Sequence, residues 1–221
     1  MKYTILMNPR VTGILIGLIV VASFITGAVA YHELPSVIAT HWDAAGHVNG
    51  TAPRVVATFV LPILMLLFWL LWAVLPHVDP IAPGFKGFRH VYDFAWILIV
   101  AFMAYVYALI LEADMGVHIN MLQSIMPALA GLFVMLGALM PMTKRNWFIG
   151  VRTPWTLSSD EVWKKTHQVA AVLFILSGLC IFAGSYAPAD TIVWYIVLPI
   201  ALSVIGAVAY SYVLYRKEKH L

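Results

Sequence analysis

Six stretches of the chain lack Asp, Glu, Lys, Arg and His over a length that suits a lipid bilayer, whose hydrocarbon core takes about 20 helical residues to cross. They are Val11–Tyr31, Val55–Leu75, Phe94–Leu111, Met121–Met142, Gln168–Ala187 and Thr191–Tyr215. The third is the shortest and is expected to begin nearer Val91. None shows the apolar–polar alternation of a barrel strand, so the pattern predicts six transmembrane helices. Pro62, Pro127 and Pro199 fall inside these runs, where membrane helices accept proline as a kink. The first run exceeds the apolar core of a signal peptide, about 7–15 residues, and is read as a retained span.

Composition agrees with this pattern. The 221 residues are 62% hydrophobic and 10% charged, with a mean hydropathy of +0.91, against about 45–50% apolar and about 25% charged in soluble chains. So few charges cannot coat a water-exposed surface of this size, which excludes a soluble enzyme and a disordered tail. The 13 Lys and Arg form no dense run, and nucleic acid is not an expected partner. Their placement instead follows topology. With the N-terminus in the cytoplasm, the inner segments hold Lys2, Arg10, Lys86, Arg89, Lys144, Arg145, Arg152, Lys164, Lys165, Arg216, Lys217 and Lys219, leaving Arg54 outside. The positive-inside rule therefore predicts cytoplasmic termini at both ends of a multi-pass protein in a cell membrane. The expected fold is an all-α bundle of six transmembrane helices in a single membrane domain, 1–221. Within it lie an N-terminal unit of two spans, 1–76, and a second unit of four spans, 91–215. The single Cys180 excludes an intrachain disulfide and is expected to be a small buried hydrophobe.

Two polar segments remain. The outer one, roughly His32–Arg54, contains His32, Glu33, His41, Asp43 and His47 within sixteen residues. Val37–Trp42 has strand character, while Asp43–Gly46 and Asn49-Gly50 are turn candidates, so a short hairpin-like plug is expected. Three readings stay open for its side chains. They cap turns and meet water and headgroups; or His41, Asp43 and His47 ligate a divalent metal such as zinc; or the histidines sense pH.

The inner segment, roughly Thr143–His167, is denser in aromatics and bases. Ser158 followed by Glu161 is a capping-box pattern that starts a helix near Ser159. Asp160 with Lys164 and Glu161 with Lys165 are i,i+4 pairs. Thr153 before Pro154 should be extended, which bends the chain between two helices. Trp163 and His167 fall one turn apart on one helix face, and Trp147, Trp155 and Trp163 are expected at headgroup depth. The segment reads either as an anchored basic loop or as a recognition surface in which Arg152 binds a carboxylate or phosphate.

Both segments resemble those of one family, the SdpI-type immunity proteins of bacteria. Asn146-Trp147-Phe148-Ile149-Gly150-Val151-Arg152-Thr153-Pro154-Trp155-Thr156-Leu157, continuing to Trp163 and His167, is similar to the family's Asn-x-x-x-Gly-x-Arg-Thr-Pro-Trp-Thr-Leu…Trp…His signature. Leu34-Pro35, His41-Trp42-Asp43 and Gly46 resemble an associated N-terminal domain of unknown function. The resemblance implies binding roles for Asn146, Gly150, Arg152, Thr153, Pro154, Trp155, Thr156, Trp163 and His167 on the inner side. On the outer side it points to His41, Trp42, Asp43, Gly46 and His47. It further implies protection of a producing cell from a secreted, membrane-active peptide toxin, with a cytoplasmic winged-helix repressor as a possible partner and membrane lipid as the surroundings.

Two other classes compete with that expectation. A metal-dependent membrane enzyme acting on a peptide or lipid would use His41, Asp43 and His47, or Arg152 and His167. A small transporter would carry a neutral hydrophobic substrate. Against the enzyme, and against ion- or proton-coupled transport, the spans hold no ionisable residue in their interiors, whereas Asp93, Glu112, Asp114 and His118 sit at span ends. The expected protein has no catalytic residue and no required cofactor.

Overall fold

The computed structural model describes residues 8–43, 45–82, 85–188 and 190–219. The element order is α1 (Pro9–Ala30), β1 (Val37–Trp42), β2 (Val48–Pro53), α2 (Arg54–Val78), α3 (Arg89–Asp114), α4 (Met121–Leu139), α5 (Pro154–Ser158), α6 (Asp160–Gly184) and α7 (Trp194–Glu218), with a 3-10 turn at Met140–Met142. Six of the helices, all but the short α5, are long and apolar enough to cross a membrane. The third begins at Arg89 and the fifth at Asp160. Both therefore reach past the charge-free runs, because charged residues are tolerated in the first turns of a span.

Several helix starts have a local cause. Pro9 opens α1, with the Asn8 side chain accepting from the Arg10 amide; Asn120 accepts from Gln123 at the start of α4, and Ser159 from Val162 at the start of α6. The capping box expected at Ser158 and Glu161 is instead formed by Thr153 and Thr156 at the start of α5. Ser158 lies at the end of that short helix and donates to the Trp155 carbonyl, so the cap of α6 passes to its neighbour.

The helices are turned inside out relative to those of a water-soluble bundle. On α1 the buried positions are Thr12, Ile16, Gly17, Val20, Ser23, Gly27 and Ala30, while Ile14, Leu18, Ile25 and Val29 face outward. Small residues let backbones approach one another, whereas large apolar ones suit lipid tails. The same holds between α4 and α6, where a Cβ on Gly178 would lie 2.7 Å from the Ala130 carbonyl oxygen. Cys180 is on the exposed face of α6, contrary to the buried position expected of it, because an all-apolar helix gives no sign of which face is outermost.

Two prolines inside α2 are matched by two tyrosines of α3. Proline removes the amide hydrogen that would bond the carbonyl four residues earlier. For Pro62 that carbonyl is Thr58, and Tyr107 Oη donates to it at 2.8 Å; for Pro76 it is Trp72, and Tyr92 Oη donates to it at 2.7 Å. Both tyrosines are buried, so α3 supplies hydrogen bonds where the α2 backbone lacks its own.

α3 packs on α1 and α2 as well as on α4, and α4, α6 and α7 pack together. One buried cluster joins α1, α2 and α3 with Leu34 and Ile38 of the hairpin end and Phe85 and Phe88 at the other end; a second joins Met126, Ala130, Ile181 and Ile192. The strands form an antiparallel hairpin, with Val37 opposite Pro53 and an irregular register around Ala39, His41 and Trp42. The bundle thus has a hairpin end and, opposite it, an end holding residues 143–159.

Candidate functional site

Residues 143–159 form a knot of buried polar bonds. Asn146 is fully buried and uses both ends of its amide. Oδ1 accepts from the amides of Phe148 and Ile149 at 2.9 and 2.7 Å, and Nδ2 donates to the carbonyls of Lys144 and Ile149 at 2.8 and 3.1 Å. A residue with both donors and acceptors is needed for this, which Asp or Leu could not provide. Thr153 is extended and caps α5, with Pro154 at its first position. The Thr156 hydroxyl donates to the Val151 carbonyl at 2.8 Å, and Thr153 Oγ1 meets Ser211 Oγ on α7 at 3.1 Å.

His167 closes the knot from α6. Its Nδ1 is 2.8 Å from the Trp163 carbonyl, which can only accept, and its Nε2 receives the Val151 amide at 3.0 Å. The two bonds select the neutral ring with its proton on Nδ1. Trp163 stacks on this ring with centroids 4.1 Å apart, and both side chains are buried. Trp163 is therefore packed inside the protein. Gly150 adopts φ +103°, and a Cβ there would lie 2.2 Å from His167 Nε2. Only glycine meets both conditions.

Charged residues pin the knot to the rest of the end. Asp79, after α2, is buried; its Oδ1 accepts from Ile81 and Ala82, and its Oδ2 from the Trp147 amide at 2.7 Å. Sequence reading passed over Asp79, which precedes proline in an ordinary-looking turn. Arg145 donates to Asp160 at 2.8 Å and to the Leu157 carbonyl at 2.9 Å. Asp160 thus pairs across the loop with Arg145, not with Lys164 along the helix. The Glu161–Lys165 pair is present at 2.9 Å.

Arg152 and two tryptophans remain nearer the surface. Arg152 is exposed; one nitrogen, Nη1, donates to the Trp147 carbonyl at 2.8 Å, and among the described residues it has no carboxylate partner. Trp147 is half exposed, and Trp155 packs on Tyr212 of α7 with centroids 5.0 Å apart. Residues Phe148–Thr153 form one wall of a cavity of about 550 Å³ that extends between α3 and α7.

The hairpin end is organised differently. Asp43 Oδ1 accepts from the amides of Ala45 and His47, each at 2.9 Å, and Asp43 Oδ2 lies 3.4 Å from His47 Nδ1. The His47 amide, foremost among these bonds, holds the Asp43 carboxyl below its ordinary value. Gly46, at φ +84°, turns the chain. His41 bonds Asn49 on the facing strand, and Trp42 is half-buried. Among the described residues no three His, Cys, Asp or Glu side chains gather as a metal site. The fixed contacts lie instead at the base, where Arg54 Nη1 donates to the carbonyls of Tyr31 and Leu34 at 3.1 and 2.9 Å, and Asp114 accepts from the Ala39 amide at 3.0 Å.

Comparison with known proteins meets both segments. Residues 142–211 match the SdpI/YfhL protein family, and residues 18–66 match a domain of unknown function, DUF1648. The chain is 24% identical over 206 residues to Immunity protein SdpI of Bacillus subtilis (strain 168), which covers 90% of this chain and 94% of that protein. No solved structure matches. Residues 142–211 are thereby identified as an SdpI/YfhL-family segment, carried behind a DUF1648 segment in a multi-pass membrane protein.

Proposed function

We propose that this protein protects a bacterial cell from a secreted, membrane-active peptide toxin. The observation that carries this reading is similarity to an immunity protein along 90% of the chain, an extent that takes in both polar ends. Orientation follows from charge. With the knot end in the cytoplasm, twelve of the 13 Lys and Arg lie inside, and the hairpin stands at the outer surface, where a secreted toxin arrives. His41, Trp42 and His47 are the hairpin side chains that such a peptide meets.

At the inner end, Arg152, Trp147 and Trp155 form the accessible face of an otherwise buried motif, and a cytoplasmic repressor is the partner proposed for it. Coupling the two ends requires two conformations with different toxin affinity.

The test is survival of a toxin-sensitive bacterium that expresses the protein and is challenged with the toxin. Wild type should protect, while Arg152→Ala and His41→Ala should weaken protection at equal membrane abundance. Failure of inserted wild-type protein to protect would overturn the reading.

A further inference from the structure

The cavity beside the knot has the construction of a lipid site. Its walls are apolar along the spans, with Phe68, Ala95, Trp96 and Val204 among the lining residues, and Arg152 stands at the polar end. At about 550 Å³ it falls within the usual range of ligand pockets, roughly 300–1,000 Å³. The cavity runs along membrane-spanning helices, so its natural filling is an acyl chain and not water, which apolar walls do not hold.

The guanidinium decides which lipid. Arg152 has five N–H donors, of which one bond, to the Trp147 carbonyl, fixes its position. Two other arginines at this end are paired with carboxylates, Arg145 with Asp160 and Arg89 with Asp93. A planar fork without a carboxylate, at the end of an apolar slot, complements a phosphodiester. Basic pockets between spans are a known means of holding anionic headgroups.

We propose that this cavity binds one anionic phospholipid, its phosphate on Arg152 and an acyl chain between α3 and α7. The site joins the knot to the bundle, and its occupancy does not depend on whether the protein confers toxin immunity.

The test is native mass spectrometry of the full chain released from nanodiscs containing equal phosphatidylglycerol and phosphatidylcholine. Wild type should retain phosphatidylglycerol preferentially. Arg152→Gln should reduce that preference about tenfold, the scale of one charge-assisted hydrogen bond. Val204→Trp narrows the slot from an exposed position on α7 and should reduce retention of either lipid while leaving Arg152 in place. Each variant is first shown to be folded by circular dichroism and monodisperse elution. Leu70→Trp, in the separate groove between α1 and α2, should change nothing. Equal retention by wild type, Arg152→Gln and Val204→Trp would overturn the proposal. So would displacement of the lipid by millimolar inorganic phosphate, which would reveal a simple anion site.

Discussion

The two ends of the bundle both carry a motif, yet their polar atoms are bonded to different things. At the hairpin end, Asp43 serves amides two and four residues away, and His41 serves the facing strand. At the knot end, Asp79 reaches the Trp147 amide, His167 reaches Val151, and Thr153 reaches Ser211, each on another part of the chain. The first motif is locally self-sufficient and exposed; the second is a buried junction between α2, α6 and α7. A buried polar group left without a partner costs about 1–3 kcal/mol, whereas one facing water is re-solvated. Similar residue types therefore serve as structure at one end and as accessible surface at the other.

The contrast is sharpest at two glycines with positive φ. Gly150→Ala combines backbone strain with a clash against His167 and should destabilise by about 3 kcal/mol or more. Gly46→Ala meets no atom within 4 Å and should cost only the strain, about 1 kcal/mol. Thermal unfolding of the purified protein in detergent separates the two, and equal losses would break the comparison. Next in size, Asn146→Ala leaves buried backbone groups unpaired and should cost about 2 kcal/mol. Asn49→Ala, at an exposed site, should stay within about 0.5 kcal/mol.

A smaller effect is expected in the spans between the ends. Tyr107→Phe should cost about 1 kcal/mol by exposing the Thr58 carbonyl. Adding Pro62→Ala restores an amide donor to that carbonyl, so the double variant should recover much of the loss; strict additivity would refute the pairing. The smallest effect concerns pH. The Asp43 carboxyl is held below its ordinary value of 3.8, chiefly by the His47 amide. Its contribution to the turn is therefore present above that value and is lost as pH falls through the lower folded one. The protection factor of the His47 amide against hydrogen exchange should fall in acid while that of the Val151 amide is kept.

Much of this architecture was legible in the sequence. Charge-free length alone locates all six spans, because a bilayer sets a minimum that few other folds impose. What that length does not encode is rotation: α1 is apolar all round, and its inward face is marked by Gly17, Ser23 and Gly27, not by greater hydrophobicity. The motif was legible as a string, and the extended Thr153 before Pro154 follows from local sterics. Its buried core was not, because the partners of Asn146 are backbone groups, and those of His167 and Thr153 come into reach only when helices meet. Arg145–Asp160 displaced a local pairing for the same reason. Arg152 stands out only once Arg145 and Arg89 are seen paired with Asp160 and Asp93.

The proline–tyrosine matches between α2 and α3 bear on the order in which the protein is made. Translation produces α2 before α3, so the Thr58 and Trp72 carbonyls enter the membrane before the hydroxyls that will cover them exist. For that interval α2 is an incomplete span, and its acceptors are completed only when Tyr92 and Tyr107 arrive. The pairing therefore predicts that α2 and α3 settle in the membrane as a hairpin and not as single helices. A ribosome-stalled chain long enough to expose α2 but not α3 should leave α2 loosely held at the insertion machinery, and one long enough to expose α3 as well should release it.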